Sequence, residues 1–227
     1  MTPSPTSLGR RQVLRHAAVA LAGTGLLLTG GPNARAAQRA ALLPAIGQTF
    51  KMEMHAFGTT LVVPLPPPLP RLNFTGRISV EVLAGGADSV QLQTLDFIMA
   101  AQNRLLGEVR LTLPTIEVSP PSTLQEGPGG LVHTWLQSMT MTCDRWGDLA
   151  GPFTWETSQP AKASGDLPQF PPPPWTANPN PDQPPTGGAF LTAASPIHFK
   201  DGPSGDGLPD LSDVQLQWDG IYEGQPR

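Results

Sequence analysis

Six side chains at alternate positions between 131 and 143 could do chemistry together: His133, Trp135, Gln137, Met139, Met141 and Cys143. Read as one extended strand, this segment puts all six on one face, because successive strand side chains point to opposite sides. An imidazole, two thioethers and a thiolate form a ligand set for a soft ion such as Cu(I). His133, Met139, Met141 and Cys143 are therefore candidate copper ligands. The spacing works against all four meeting one ion, since alternate strand residues sit about 6.5–7 Å apart. Met52 and Met54 form a second M-x-M pair that a neighbouring strand could supply. The plainer reading makes these residues core, the usual place for methionine and free cysteine, and sends the Thr-rich opposite face to solvent.

A second group lies near the C-terminus, in Ser204-Gly205-Asp206-Gly207-Leu208-Pro209-Asp210-Leu211-Ser212-Asp213. It resembles the later half of a bacterial calcium repeat of the thrombospondin type-3 kind, D-x-D-x-D-G-x-x-D-x-x-D. Asp206, Gly207, Asp210 and Asp213 match its last four fixed positions, while Gly202 and Ser204 replace the two earlier ligands. The resemblance implies calcium held by Asp206, Asp210 and Asp213. Calcium takes six to eight oxygens, so backbone carbonyls and water would have to complete the shell. Asp-Gly and Pro-Asp pairs are also ordinary turn chemistry, which makes this stretch a turn before the last strand. The cofactor expectation is thus none, or calcium.

Enzymatic motifs are lacking. No G-x-S-x-G elbow, H-E-x-x-H pair, phosphate-cradling loop or dinucleotide fingerprint occurs. Cys143 has no nucleophile motif around it, and His16, His55, His133 and His198 stand isolated. Asp96, Asp144, Asp148 and Glu156 could meet in three dimensions as a carboxylate pair for glycoside chemistry, which sequence spacing does not test.

The elements that must position these residues are strands. Proline and glycine supply 28 and 24 of the 227 residues, and both are poor in helix interiors. Period-two segments recur instead. Ile78, Val80 and Val82 share a face, as do Val109, Leu111 and Leu113, and Val214, Leu216 and Trp218. Further strands are expected at 48–56, 90–100, 131–143 and 153–157, with short ones near 59–63 and 190–200. The expected fold is all-β, a single antiparallel β-sandwich or barrel over residues 37–227. A short helix at 100–106 is the variant. Two proline-rich loops interrupt the pattern, at 64–70 and at 168–185. The second contains nine prolines and Trp175, and reads as a strap wrapping the sheet or as a segment docking into a partner's groove.

Residues 1–36 stand apart. Gly9-Arg10-Arg11-Gln12-Val13-Leu14-Arg15, an Ala/Gly-rich run, and Ala34-Arg35-Ala36 resemble a bacterial twin-arginine signal peptide. Gly9 stands where that motif usually has Ser or Thr, and Val13 where it often has Phe. The resemblance implies that the twin-arginine translocase exports a folded chain, cleaved after Ala36, to the periplasm or beyond. Arg10, Arg11, Arg15 and Arg35 leave with the leader and no Asp or Glu precedes residue 37, so net charge moves from −4 to −8. Such a surface repels phosphate backbones and anionic headgroups, arguing against nucleic-acid and membrane partners. With one cysteine, Cys143, no internal disulfide forms, and packing must hold the domain. The functional expectation is a non-catalytic domain that binds a small molecule or assembles with a protein. The alternatives are a calcium or copper protein, or a hydrolase on a β-sandwich or barrel.

Overall fold

The computed structural model describes residues 43–63, 67–115, 119–180, 183–200, 202–203 and 211–226. Among them lie fifteen strands and no helix. The first five are β1 (Thr49–Val62), β2 (Arg71–Leu83), β3 (Ser89–Asn103), β4 (Gly107–Thr112) and β5 (Ser122–Gly127). Next come β6 (Gly130–Gln137), β7 (Thr140–Trp146), β8 (Leu149–Thr157), β9 (Ala161–Leu167) and β10 (Trp175–Thr176). The last are β11 (Thr186–Gly187), β12 (Ala189–Ala193), β13 (Ile197–Lys200), β14 (Val214–Gln217) and β15 (Gly220–Gly224).

Thirteen strands form one antiparallel sheet, in the order β14-β13-β8-β7-β4-β3-β2-β1-β15-β12-β9-β6-β5. Two more pairings close it at both ends: β14 joins β1, and β3 joins β5. The result is two eight-stranded rings that share β1, β2 and β3. Ring A continues through β5, β6, β9, β12 and β15. Ring B continues through β4, β7, β8, β13 and β14. Closure leaves neither ring with an unpaired edge. The expectation of an all-β, antiparallel sandwich or barrel holds, and the two closing pairings give it a barrel-like form.

The shared strands serve both rings because they are long: 14, 13 and 15 residues. At about 3.3 Å per residue each spans roughly 45 Å, enough for two rings end to end. Along β1, Glu53–His55 pairs with β15 and 60–62 with β14. Along β3, 89–92 pairs with β5 and 98–103 with β4. Register shifts fall between the two uses, at Ala56/Thr59 in β1 and at Leu95 in β3, opposite Ser79/Val80. An extra residue in one strand bends it, as each strand must to leave one ring and enter the other.

Each ring has an apolar interior. Ring A buries Met52, Met54, Leu124, Leu191 and Ile221, and ring B buries Leu61, Leu111, Met141, Trp155 and Leu216. The segment expected as one strand over 131–143 is two. Chain continuity of the ladder ends at Ser138–Met139, where Ser138 N–H donates to Ser119 Oγ at 2.7 Å and Met139 N–H to Thr157 Oγ1 at 3.0 Å. β6 before the break belongs to ring A and β7 after it to ring B. The helix variant at 100–106 is also corrected: Ala100 to Asn103 completes β3, and 104–106 is a turn.

The strap reading of the longer proline loop matches the fold. β10 and β11 form a two-stranded ribbon, with Trp175 opposite Gly187, and the Trp175 side chain is buried. Gln225 N–H donates to Pro172 O at 3.0 Å and Gly188 N–H to Pro174 O at 3.2 Å, fastening the strap beside the ends of ring A.

Candidate functional site

β6 has a strict alternation in which Leu131, His133, Trp135 and Gln137 point into ring A and their neighbours face outward. Three of the four inward side chains are polar or carry a polar edge. From β6 the ring passes through β9 and β12 to β15, which turns Ile221 and Glu223 inward. On the intervening strands the positions in register with the pair are small, Gly165 beside His133 and Ala189 beside Glu223, while Leu167 and Leu191 are buried farther along. Larger side chains at Gly165 and Ala189 would fill the space between β6 and β15. With small ones, His133 and Glu223 meet across two strands: His133 Nδ1 lies 3.1 Å from Glu223 Oε2.

This pair is almost sealed, with side chains 1% and 0% exposed. Removing a carboxylate from water costs several kcal/mol unless its oxygens find partners. Here the compensation is half complete. Glu223 Oε1 and His133 Nε2 have no hydrogen-bond partner among the described residues, and neither do Trp135 Nε1 and Gln137 Oε1 on the same inward stripe. Ring B differs. Its Trp155 Nε1 donates to Leu211 O at 3.2 Å, and the Thr59 hydroxyl is its one unpaired buried group among the described residues.

The end of ring A where β1 begins and β9 finishes is covered by the strap. Phe170 stands edge-on to His133, centroids 6.1 Å apart, and edge-on to Phe50 at 5.2 Å. Phe170 is half-buried. It is thus the one strap ring that reaches the buried pair. Farther along the strap, Trp175 packs 5.2 Å from the ring of His55 on the outer side of β1, with Phe57 at 6.2 Å.

Burial pushes the His55 imidazole below its ordinary value of 6.5, and its Nδ1 has no partner. The folded state therefore binds a proton at His55 less readily than the unfolded chain. This contribution to stability is fully present above pH 6.5 and is lost as pH falls through the lower folded value. Thermal melts from neutral pH down to about pH 5 should show a smaller loss of melting temperature in His55→Phe than in the wild type. Equal losses in both would exclude His55 as the titrating group.

Outside the rings, a groove of about 680 Å³ runs over the outer face of the shared strands. Lys51, Glu53, Thr75 and Arg77 border it, Ile98 and Ala100 floor it, and Trp175 closes one side. Its charged rim is solvated: Arg77 pairs with Asp96 at 3.6 Å with both side chains largely exposed, an arrangement worth little energy.

The copper set does not assemble around His133. His133 faces ring A, whereas Met141 and Cys143 sit on β7 in ring B, opposite Leu111 and Trp155, and Val109 and Phe153, respectively. Met139 is buried in the link between β6 and β7. The Cys143 thiol is pushed up to about 12 by burial and by neighbouring Asp144, against a smaller opposing hydrogen bond from the Arg145 backbone. Among the described residues no three His, Cys, Asp or Glu side chains converge as a metal site.

Of the calcium set, Asp206 and Asp210 lie outside the described residues. Asp213 is exposed, with Oδ1 accepting from Gln215 Nε2 at 3.4 Å. Arg10, Arg11, Ala34 and Ala36 of the leader also lie outside them. Two of the four carboxylates share a site and two do not: Asp144 and Asp148 line one surface cleft, whereas Asp96 lies beside Arg77 and Glu156 is on β8. Met52 and Met54 do enter ring A, where Met54 stands opposite Glu223 in the β1–β15 register. Glu223 itself went unnoticed in the sequence, because a single Glu between Tyr222 and Gly224 has no motif around it.

No protein-family model and no curated protein matches the chain. Among solved structures it is similar to DynF from the dynemicin biosynthesis pathway of Micromonospora chersina. The TM-score is 0.56 over 81% of this chain and 83% of that one, at 13% identity. That likeness is one of fold.

Proposed function

We propose that the protein is an exported, non-catalytic binding protein that holds a small molecule inside ring A. The observation that carries this reading is the His133–Glu223 pair, buried with one polar atom of each side chain unpaired. Buried polar groups are nearly always bonded, so orphaned atoms on one inward stripe point to a partner supplied from outside the chain. Eight strands is also the barrel size whose interior either fills with side chains or encloses one small ligand. Ring B follows the first course. In ring A, small residues on β9 and β12 and a strap over one end favour the second.

Native mass spectrometry of the exported protein, purified without denaturants, tests the reading. The expected spectrum has a small-molecule adduct that disappears when His133→Leu and Glu223→Met are combined. A bare chain whose melting temperature is unmoved by the small-molecule fraction of its host would overturn it, because a ligand selective for the folded state must raise that temperature.

A further inference from the structure

We infer that ring A takes an uncharged aromatic ligand bearing a hydroxyl group, seated where the Phe170 ring now sits. This deepens, and rests on, the reading of ring A as a binding barrel. The argument begins with what fills the slot. Phe170 belongs to the strap, not to the ring, yet its side chain is edge-on to two ring-A side chains, Phe50 and His133. Edge-to-face pairs of this kind favour an aromatic ring by about 0.5–1.5 kcal/mol beyond its buried area. The place beside Phe50 and His133 therefore suits an aromatic group, and the chain supplies one from a segment fastened separately at Pro172 and Pro174.

The chemistry at the bottom of the slot narrows the class further. Glu223 Oε1, as a carboxylate oxygen, accepts hydrogen bonds, and His133 Nε2 accepts or donates according to the proton on the ring. A hydroxyl donates to Glu223 and offers lone pairs to His133. A bare hydrocarbon would leave both atoms unpaired. A ligand carboxylate would meet Glu223 with like charge in a site closed to water, and could not donate. Phe170 meets the His133 ring edge-on and, as a hydrocarbon, can offer no hydrogen bond to His133 Nε2 or Glu223 Oε1. A hydroxylated ring would improve on it at that point, which makes Phe170 an internal competitor. Trp135 Nε1 and Gln137 Oε1 continue the polar stripe along β6, one donor and one acceptor for a ligand longer than a single ring.

The test compares three probes of one shape: 2-naphthol, naphthalene and 2-naphthoate. Titrations by calorimetry and tryptophan fluorescence use the full exported chain and its Phe170→Ala and Glu223→Gln variants. The expected result is that 2-naphthol binds most tightly, about tenfold tighter to Phe170→Ala than to the wild type. Glu223→Gln weakens 2-naphthol about tenfold and leaves naphthalene unchanged. Binding of naphthalene or 2-naphthoate as tight as that of 2-naphthol would overturn the ligand class while ring A stands as a binding site. If none of the three binds Phe170→Ala or shifts the His133 ring resonances, the barrel reading falls with it. Should Phe170→Ala fail to fold, the wild type carries the same three-probe comparison at higher probe concentration, with the same outcomes.

Discussion

Replacing His133 with leucine while Glu223 remains will cost about 3–5 kcal/mol, the usual penalty for stranding one partner of a buried pair. Adding Glu223→Met should return most of that loss, and the double variant can equal or exceed the wild type. The reasoning is one of desolvation. In the wild type the gain of one 3.1 Å hydrogen-bonded contact is set against burying both groups, with two polar atoms left unpaired. Leucine at 133 removes the gain and keeps the buried carboxylate. Methionine at 223 then matches glutamate in length and removes the cost. Urea unfolding of the three proteins at neutral pH measures it, with the coupling read from a double-mutant cycle. A double variant as unstable as His133→Leu would show that the pair is a structural asset. A recovered double variant would show that the fold tolerates ring A without the pair, so the pair is kept for something other than stability.

That distinction bears on how much the sequence discloses. Strands whose inward residues are large and branched were legible: Ile78, Val80 and Val82 are buried in β2, Val109 and Leu111 in β4, Val214 and Leu216 in β14. Two of the strands that build the site, β9 and β15, were not. β9 reads Ala-Lys-Ala-Ser-Gly-Asp-Leu and β15 reads Gly-Ile-Tyr-Glu-Gly, too small and too glycine-rich to announce an apolar face. They are small for the same reason they are functional, since bulk there would keep His133 from Glu223. The partner lies 90 residues along the chain, a separation no local pattern spans.

The break between β6 and β7 was hidden by a different effect. Positions 133, 135, 137, 139, 141 and 143 are all buried, so the alternation runs across the break without a missed beat. Period two reports that a side chain faces a core. It does not report which core, and here there are two. Thus the sequence groups His133 with Met139, Met141 and Cys143, whereas its neighbours in the fold are those of ring A. Ring closure was equally out of reach, because the β3–β5 and β14–β1 pairings depend on where long strands bend.

Those bends make Gly76→Ala the most damaging small substitution expected in this chain, at about 3 kcal/mol or more. A Cβ at Gly76 would sit 1.9 Å from Ile98 O and 2.6 Å from Met99 Cα, both backbone atoms that cannot rotate aside. Gly76 faces Met54 on β1 and Met99 on β3, midway along the three strands that both rings share. Pushing β2 from β3 there disturbs both rings at once. Relief would require moving a ladder that both closures depend on. Gly129→Ala is the control, because a Cβ there meets nothing within 4 Å. It should leave the unfolding free energy within about 0.5 kcal/mol of the wild type, as surface changes usually do. If Gly76→Ala melts with Gly129→Ala, the close approach of β2 and β3 is not what holds the two rings together. If it unfolds both rings in one transition, the shared strands are the cooperative centre of the protein, and a ligand in ring A would stabilise ring B through them.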